Sequence, residues 1–171
     1  MSTSFDLTDI DRFVAGATGI PGARTFYLQV ASGSTVLSFK CEKAHVDALS
    51  HALTTLLGDL PPVATDRELP TGTSLSAPVL AEWSVGSIAL GYEAPTDRIM
   101  VVLEEFASAD DAEPDADSAD RTGGQARFPI SRSQAKTFAE AGSVLVRAGR
   151  PACPVCESPI DSVGYSCVCF N

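Results

Sequence analysis

Apolar residues recur at helical spacing in two stretches of the chain. The first stretch, Glu42–Leu57, carries an apolar stripe that consists of Val46, Leu49, Leu53, Leu56 and Leu57. The second stretch carries a similar stripe that consists of Ala135, Phe138, Ala139, Leu145 and Val146. Residues at this spacing lie on one face of a helix, so both stretches predict amphipathic helices. Ser131 and Gln134 predict a capping box at the start of the second helix, and Gly149 and Pro151 predict its end.

Other stretches alternate between apolar and polar residues, which is typical of half-buried strands. The alternation is clearest in the segments PGARTFYLQV and PTDRIMVVLE, where apolar residues occupy every second position of 26–30 and of 99–103. Two opening strands are predicted at Phe13–Thr18 and at Trp83–Tyr92. A third strand ahead of each helix completes the order β-β-β-α in each half of the chain.

The two halves of the chain resemble one another. A shift of 89 residues places the first apolar stripe on the second, with Leu49 on Phe138 and Leu53 on Gly142. Because glycine has no side chain, Gly142 predicts close backbone packing at that point. The strands align at a shift of 74, and an acidic insertion in the second half accounts for the difference. These patterns predict an α+β fold, in which duplicated β-β-β-α units form an antiparallel sheet that two helices cover on one face.

The predicted domain organisation has two parts, a duplicated α+β domain over residues 1–150 and a small zinc-binding tail over residues 151–171. The acidic insertion, residues 108–124, interrupts the first part with the sequence SADDAEPDADSADRTGG. It contains no aromatic or branched apolar residue, so it cannot bury enough surface to order itself, and we expect a disordered hairpin tip. Two interpretations stay open, a solvated loop without a role and a charged docking or regulatory segment.

The distribution of charge along the chain limits which classes of molecule the protein is expected to bind. The net charge of the chain is −10, which disfavours broad nucleic-acid binding. Residues 110–121 carry a net −5, whereas residues 127–150 carry a net +4. The candidate anion- or partner-binding residues are the basic residues of the second helix, Arg132, Lys136, Arg147 and Arg150. The alternative is a solvated face whose cations complement the helix C-terminus. The start of the sequence lacks the pattern of a signal peptide and the apolar runs are short, so we expect a cytoplasmic protein without membrane contact.

Four of the five cysteines lie within the last nineteen residues. They form a C-x2-C pair, Cys153 and Cys156, and a C-x-C pair, Cys167 and Cys169. A tight turn between closely spaced thiolates directs both at one point, so the spacing predicts a structural Zn²⁺ site with these four ligands. Disulfides and a dithiol redox site are the alternatives.

Three segments resemble one known family: DRFVAGATGIPGARTFYLQ, VGSIALGY and AGRPACPVC. They are similar to the actinobacterial proteins grouped as domain of unknown function 3090, whose tail resembles a zinc ribbon. The resemblance implies glycine after the first cysteine pair and a histidine–cysteine pair near the end, where this chain has Glu157 and Tyr165. Cys169 is therefore the residue that would supply the fourth ligand. The resemblance implies no biochemical activity.

Motifs for catalysis are few. His45 and His51 lie on different faces of the first predicted helix, and Cys41 is predicted to be a small core residue. The segment GATGIPG predicts a hairpin turn, with anion binding as the alternative, and the sequence holds neither a nucleophile elbow nor a phosphate loop. We therefore predict a non-enzymatic binding or adaptor protein with a structural zinc site and an unknown protein partner. A nucleic-acid-binding protein that uses the basic helix and the tail is one alternative, and an enzyme with an unidentified active site is another.

Overall fold

The computed structural model describes residues 3–20, 22–61, 73–107, 123–148, 153 and 155–156. These residues contain seven strands and two helices. The strands are β1 (Phe5–Asp6), β2 (Arg12–Thr18), β3 (Thr25–Ser32), β4 (Thr35–Cys41), β5 (Ala81–Glu93), β6 (Arg98–Glu105) and β7 (Gln125–Ile130). The helices are α1 (Lys43–Asp59) and α2 (Arg132–Arg147). The α+β class and the two predicted helices are confirmed.

All seven strands belong to one mixed sheet with the order β1-β7-β6-β5-β4-β3-β2. Most neighbours are antiparallel, but β4 pairs with β5 and β1 pairs with β7 in parallel. The prediction of a wholly antiparallel sheet was therefore wrong. The parallel pairing of β4 with β5 arises because the connection through α1 is long enough to return the chain to the end of the sheet at which β4 begins. The order β-β-β-α occurs twice after β1, while descent from a duplicated unit stays a prediction.

The sheet curls strongly towards its own apolar face. In a flat sheet β2 and β7 would lie about 24 Å apart, because five strand spacings separate them. The rings of Phe13 in β2 and Phe128 in β7 instead lie 5.0 Å apart between centroids. Phe5 in β1 and Phe39 in β4 are 6.0 Å apart across the same interior. Register shifts at 38–40 in β4 and 85–87 in β5 supply local bends of the kind that β-bulges introduce.

Both helices pack into this curled interior. The predicted apolar stripe of α1 faces the core. Its members Val46, Leu49 and Leu53 are buried, and Leu56 and Leu57 are partly buried. The second helix begins with the predicted capping box, since Gln134 N donates to Ser131 Oγ at 3.1 Å and Ser131 N donates to Gln134 Oε1 at 2.8 Å. Phe138 of α2 stacks on Phe13 at 4.5 Å, which places this helix against β2. Neither helix of the described chain has the length and apolar content needed to cross a membrane.

A short segment, residues 73–78, covers the outer face of β2, β3 and β4. Gln29 in β3 is only 1% exposed, and its side-chain amide pairs with the backbone of Ser76. Ser76 N donates to Gln29 Oε1 at 2.7 Å, and Gln29 Nε2 donates to Ser76 O at 3.0 Å. Leu75 fills the space above Gly16, where a Cβ atom would lie 2.4 Å from the Leu75 Cγ. The buried side-chain amide of Gln29 therefore satisfies both backbone hydrogen-bonding groups of Ser76 in the covering segment.

The acidic insertion leaves the sheet at a well-anchored point. Its residues 108–122, and most of the predicted tail, lie outside the described residues. At the ends of the insertion, Glu105 N donates to Gly124 O and Gly124 N donates to a carboxylate oxygen of Glu105, both at 2.8 Å. The chain thus departs after β6 and re-enters before β7 at adjacent positions. Disorder of the insertion stays a prediction.

The two helices cross at Gly142. A Cβ atom built on this residue would lie 2.2 Å from Ser50 Oγ on α1 and 3.4 Å from Val46 Cγ1. Ser50 Oγ is itself fixed, because it donates to Val46 O at 2.7 Å within α1. The close backbone packing predicted at Gly142 is therefore confirmed, with Ser50 as the residue that it approaches.

We expect Gly142→Ala to lower the free energy of unfolding by about 1–3 kcal/mol, because the added methyl overlaps Ser50 Oγ. Adding Ser50→Ala should recover most of that loss, since the nearest remaining atoms would then lie 3.4–3.5 Å away. Urea denaturation measures both changes. Gly58→Ala in α1 is the control, because a Cβ there meets nothing within 4 Å, and it should stabilise by roughly 0.5–1 kcal/mol. An equal effect of Gly142→Ala in both backgrounds would contradict the proposed overlap.

Candidate functional site

The first cysteine of the predicted zinc site is buried. The Cys153 residue is 1% exposed, whereas Cys156 is exposed. The backbone N–H of Val155 donates to Cys153 Sγ at 3.5 Å, so the chain turns around this sulfur. Cys167 and Cys169 lie outside the described residues. Among the residues that are described, no group of three or more His, Cys, Asp or Glu side chains is placed to hold a metal ion. With half of the predicted ligands outside that set, the zinc site stays a prediction.

Arg132, the first of the predicted partner-binding residues, is used within the fold. Its Nε donates to Asp97 Oδ1 at 2.6 Å, and its Nη2 donates to the Tyr92 hydroxyl at 3.0 Å. A third bond joins Nη1 to the Pro61 carbonyl just after α1. The guanidinium also lies 5.5 Å from the centre of the Tyr92 ring, and the Arg132 side chain is only 15% exposed. Arg132 thus connects the start of α2 to the β5–β6 turn and to the end of α1.

Asp97 completes this cluster from an unusual backbone conformation. Its φ is 51°, in the left-handed region that aspartate tolerates better than most residues. The Tyr92 hydroxyl donates to Asp97 Oδ1 at 2.8 Å. That bond and the bond from Arg132 hold the pKa of the Asp97 carboxyl below its ordinary value, because both stabilise the charged form. The sequence did not indicate this pair, since 35 residues separate its members.

The other predicted basic residues are distributed along α2 and beyond it. Lys136 and Arg147 are exposed, together with Glu140 and Val144, and these four residues form the solvent-facing stripe of the helix. Arg147 Nε donates to Ser143 O at 3.1 Å one turn earlier. Arg150 lies outside the described residues. The structure therefore leaves Lys136 and Arg147 exposed on one face, whereas the Arg132 side chain is bonded to Asp97, Tyr92 and Pro61. The role of these residues in binding stays a prediction.

One basic residue near α2 was missed in the sequence. Arg24, at the end of the turn between β2 and β3, donates from Nη1 to the carbonyl of Ala148 at 2.9 Å. A cation at this position complements the negative end of the helix dipole. The available signal was its place two residues after the glycine-rich turn segment, but the contact spans 124 residues and no local pattern predicts it.

Potential catalytic groups have ordinary structural environments. His45 Nδ1 accepts the backbone N–H of Glu42 at 3.2 Å and so helps to cap α1, while His51 is exposed on the same helix. Cys41 is buried, as predicted, and burial raises the pKa of its thiol to about 12. A thiol with this pKa is almost wholly protonated at neutral pH and is a poor nucleophile. The carboxylate of Glu105, another potential acid–base group, accepts a hydrogen bond from the backbone N–H of Gly124.

Comparison with known proteins supplies the family. The model of the family described as "Protein of unknown function (DUF3090)" matches residues 5–167. This chain belongs to the DUF3090 family. No curated protein and no solved structure matches it. The DUF3090 match extends over the described fold and ends at Cys167, so it includes three of the four predicted zinc ligands. The resemblance inferred from the sequence is confirmed, and membership assigns no activity.

We expect Asp97→Asn to destabilise this DUF3090 protein near neutral pH, because the variant loses the carboxylate that Arg132 and Tyr92 bind. The pKa of Asp97 is depressed in the folded state. Its contribution to stability is therefore present above the ordinary pKa of about 4 and is lost as the pH falls through the lower, folded-state value. Urea denaturation at a series of pH values should show the two proteins converging in strong acid. Asp47→Asn, at an exposed position of α1, is the control. A pH-independent difference would argue against an ionic role for Asp97.

Proposed function

We propose that this DUF3090 protein is a non-enzymatic binding or adaptor protein whose C-terminal tail holds a structural zinc ion. The observation that supports it best is the position of Cys153. This cysteine is buried, accepts a backbone N–H, and follows only five residues after Ala148, where Arg24 fixes the end of α2. The tail is thereby tethered close to the exposed end of a helix, where a zinc-ordered tail and the helix can contact the same partner.

The residues present fit zinc better than they fit the alternatives. A sulfur that accepts a backbone N–H is stabilised as a thiolate, which is the form that binds zinc. Cys153, Cys156, Cys167 and Cys169 would close the coordination shell and leave no position for a catalytic water. Zinc would supply on the order of 10 kcal/mol of folding free energy to a tail that has few apolar side chains. Thiolates persist in a reducing compartment, which agrees with the expected cytoplasmic location.

We propose that the partner-binding face consists of the exposed stripe of α2 and the tail beside it. Lys136, Arg147 and Arg150 would supply its positive charge. Arg132 would instead fix the start of the helix, because three of its donor atoms are already bonded within the chain. A protein partner is favoured over nucleic acid, since Glu140 lies within the same exposed stripe and Asp97 neutralises Arg132.

We also infer that the two β-β-β-α halves descend from one duplicated unit. The matched apolar stripes of the two helices support this inference. So does the sheet, in which the strands of the first half (β2, β3, β4) and of the second half (β5, β6, β7) each lie in consecutive order. The acidic insertion occupies the connection that is a two-residue turn in the first half, which explains why the strands and helices repeat at different offsets.

Elemental analysis tests the zinc site. Freshly purified protein should contain about one zinc per chain, as four thiolate ligands require. Cys153→Ser and Cys156→Ser should each lose most of that zinc, whereas Cys41→Ser should retain it, because Cys41 is a buried residue of β4. Metal-free protein in which the tail thiols titrate freely would end the proposal.

Charge reversal tests the binding face. In affinity capture from the native cells, Lys136→Glu combined with Arg147→Glu should reduce recovery of the partner by about tenfold or more, because both cations would become repulsive to an acidic ligand. Lys40→Glu combined with Lys43→Glu, an equal charge change at exposed positions of β4 and α1, should leave recovery unchanged. Equal recovery with all three proteins would show that the stripe is only solvated surface. A steep loss of binding with salt to added RNA or DNA would favour a nucleic-acid partner instead.

A further inference from the structure

Two large apolar side chains are exposed where the β2–β3 turn adjoins the end of α2. Ile20 in the turn is 67% exposed, and Val144 on α2 is 65% exposed. The two elements are joined, because Arg24 at the end of the turn donates to Ala148 O, one helical turn after Val144. Single exposed apolar residues are common, but apolar residues on two adjoining elements identify a candidate contact surface.

The turn that presents Ile20 has a defined conformation. Ala23 N donates to Ile20 O at 2.9 Å across the turn. Gly19 has a φ of 91°, and a Cβ atom there would lie 2.6 Å from Ala23 O, so only glycine fits. A surface whose backbone is already ordered loses little conformational entropy when a partner binds. Ile20 is therefore an anchor in a fixed position.

Two arginines lie on the same two elements as these apolar residues. Arg24 lies between the turn and the helix, and Arg147 follows Val144 on the exposed stripe. Lys136 extends the positive charge along the helix, and Glu140 is the acidic residue of the described stripe. The surface formed by Ile20, Arg24, Val144 and Arg147 thus combines two exposed apolar side chains with two cations, which complements a ligand that combines carboxylates with large apolar side chains.

We propose that this surface, the turn–helix surface, binds an acidic protein segment whose large apolar side chains contact Ile20 and Val144. The proposal rests on the partner-binding function above and specifies the chemistry of the partner. The chain's own acidic insertion is excluded as the complete occupant. Its carboxylates match the charge, but it contains no aromatic or branched apolar residue that could cover Ile20 and Val144.

Synthetic peptides test the proposal on the full-length, zinc-loaded chain. One labelled peptide alternates Asp or Glu with Leu or Phe, a second replaces Leu and Phe by Ser, and a third replaces the acids by Lys. Fluorescence anisotropy should show that the first peptide binds about tenfold or more tightly than the other two. Ile20→Ser combined with Val144→Ser should reduce its affinity to that of the second peptide. Phe106→Ser is the matched control, because Phe106 is 63% exposed at the opposite end of the sheet.

Each contrary outcome has a separate meaning. If the first two peptides bind with equal affinity, the apolar surface is overturned and the binding function survives. The same conclusion follows if Ile20→Ser with Val144→Ser leaves the affinity unchanged. In that case Lys136→Glu with Arg147→Glu should still weaken the binding of both peptides. If no peptide binds, the turn–helix surface is overturned, and the proposed function is judged by zinc content and by the capture experiment with the charge-reversal variants. If sedimentation shows that the native chain self-associates and that the two serine substitutions abolish this, the occupant is a second copy and the acidic partner is overturned.

Discussion

The contact of Phe13 with two other aromatic rings determines the shape of the whole molecule. Phe13 lies near one edge of the sheet, Phe128 lies near the other edge, and Phe138 lies on α2, yet the Phe13 ring contacts both of the others. This is feasible only if the sheet curls and α2 fills the space between its edges. Each buried ring removes a large apolar area from water, so the curl is stabilised by the hydrophobic effect rather than by strand pairing alone.

The position of α2 follows from that curl, and charged contacts then fix its two ends. Arg132 at the first turn is unfavourable for the helix dipole, and the Asp97 carboxylate offsets it. Arg24 at the last turn has the favourable sign and binds the terminal carbonyl directly. Because both ends are held, the exposed stripe between them has one orientation relative to the β2–β3 turn. The orientation of the surface available to a partner is therefore fixed by the contacts of Arg132 and Arg24, which lie at the two ends of the helix.

Local patterns predicted the elements of this fold, and long-range contacts decided how they were arranged. Helical periodicity located both helices, and alternation located the strands, because these signals depend on residues a few positions apart. The parallel pairing of β4 with β5, the burial of Gln29 beneath residues 73–78, and the Arg132–Asp97 pair were not predictable in this way. Each depends on a partner 35 or more residues away, and no periodic pattern specifies which distant residue that will be.

The Ser50–Gly142 contact also makes substitutions at two distant positions of this chain depend on one another. A larger residue at position 142 overlaps the hydroxyl at position 50, so such a change is destabilising unless Ser50 is replaced first. Loss of the hydroxyl at position 50 meets no such obstacle, because it only removes an internal hydrogen bond of α1. Substitutions at the two positions are therefore ordered in this chain, and even after loss of the hydroxyl the room at position 142 is limited by Val46 Cγ1 at 3.4 Å. The close approach of the two helices therefore makes the residue that fits at position 142 depend on the residue at position 50.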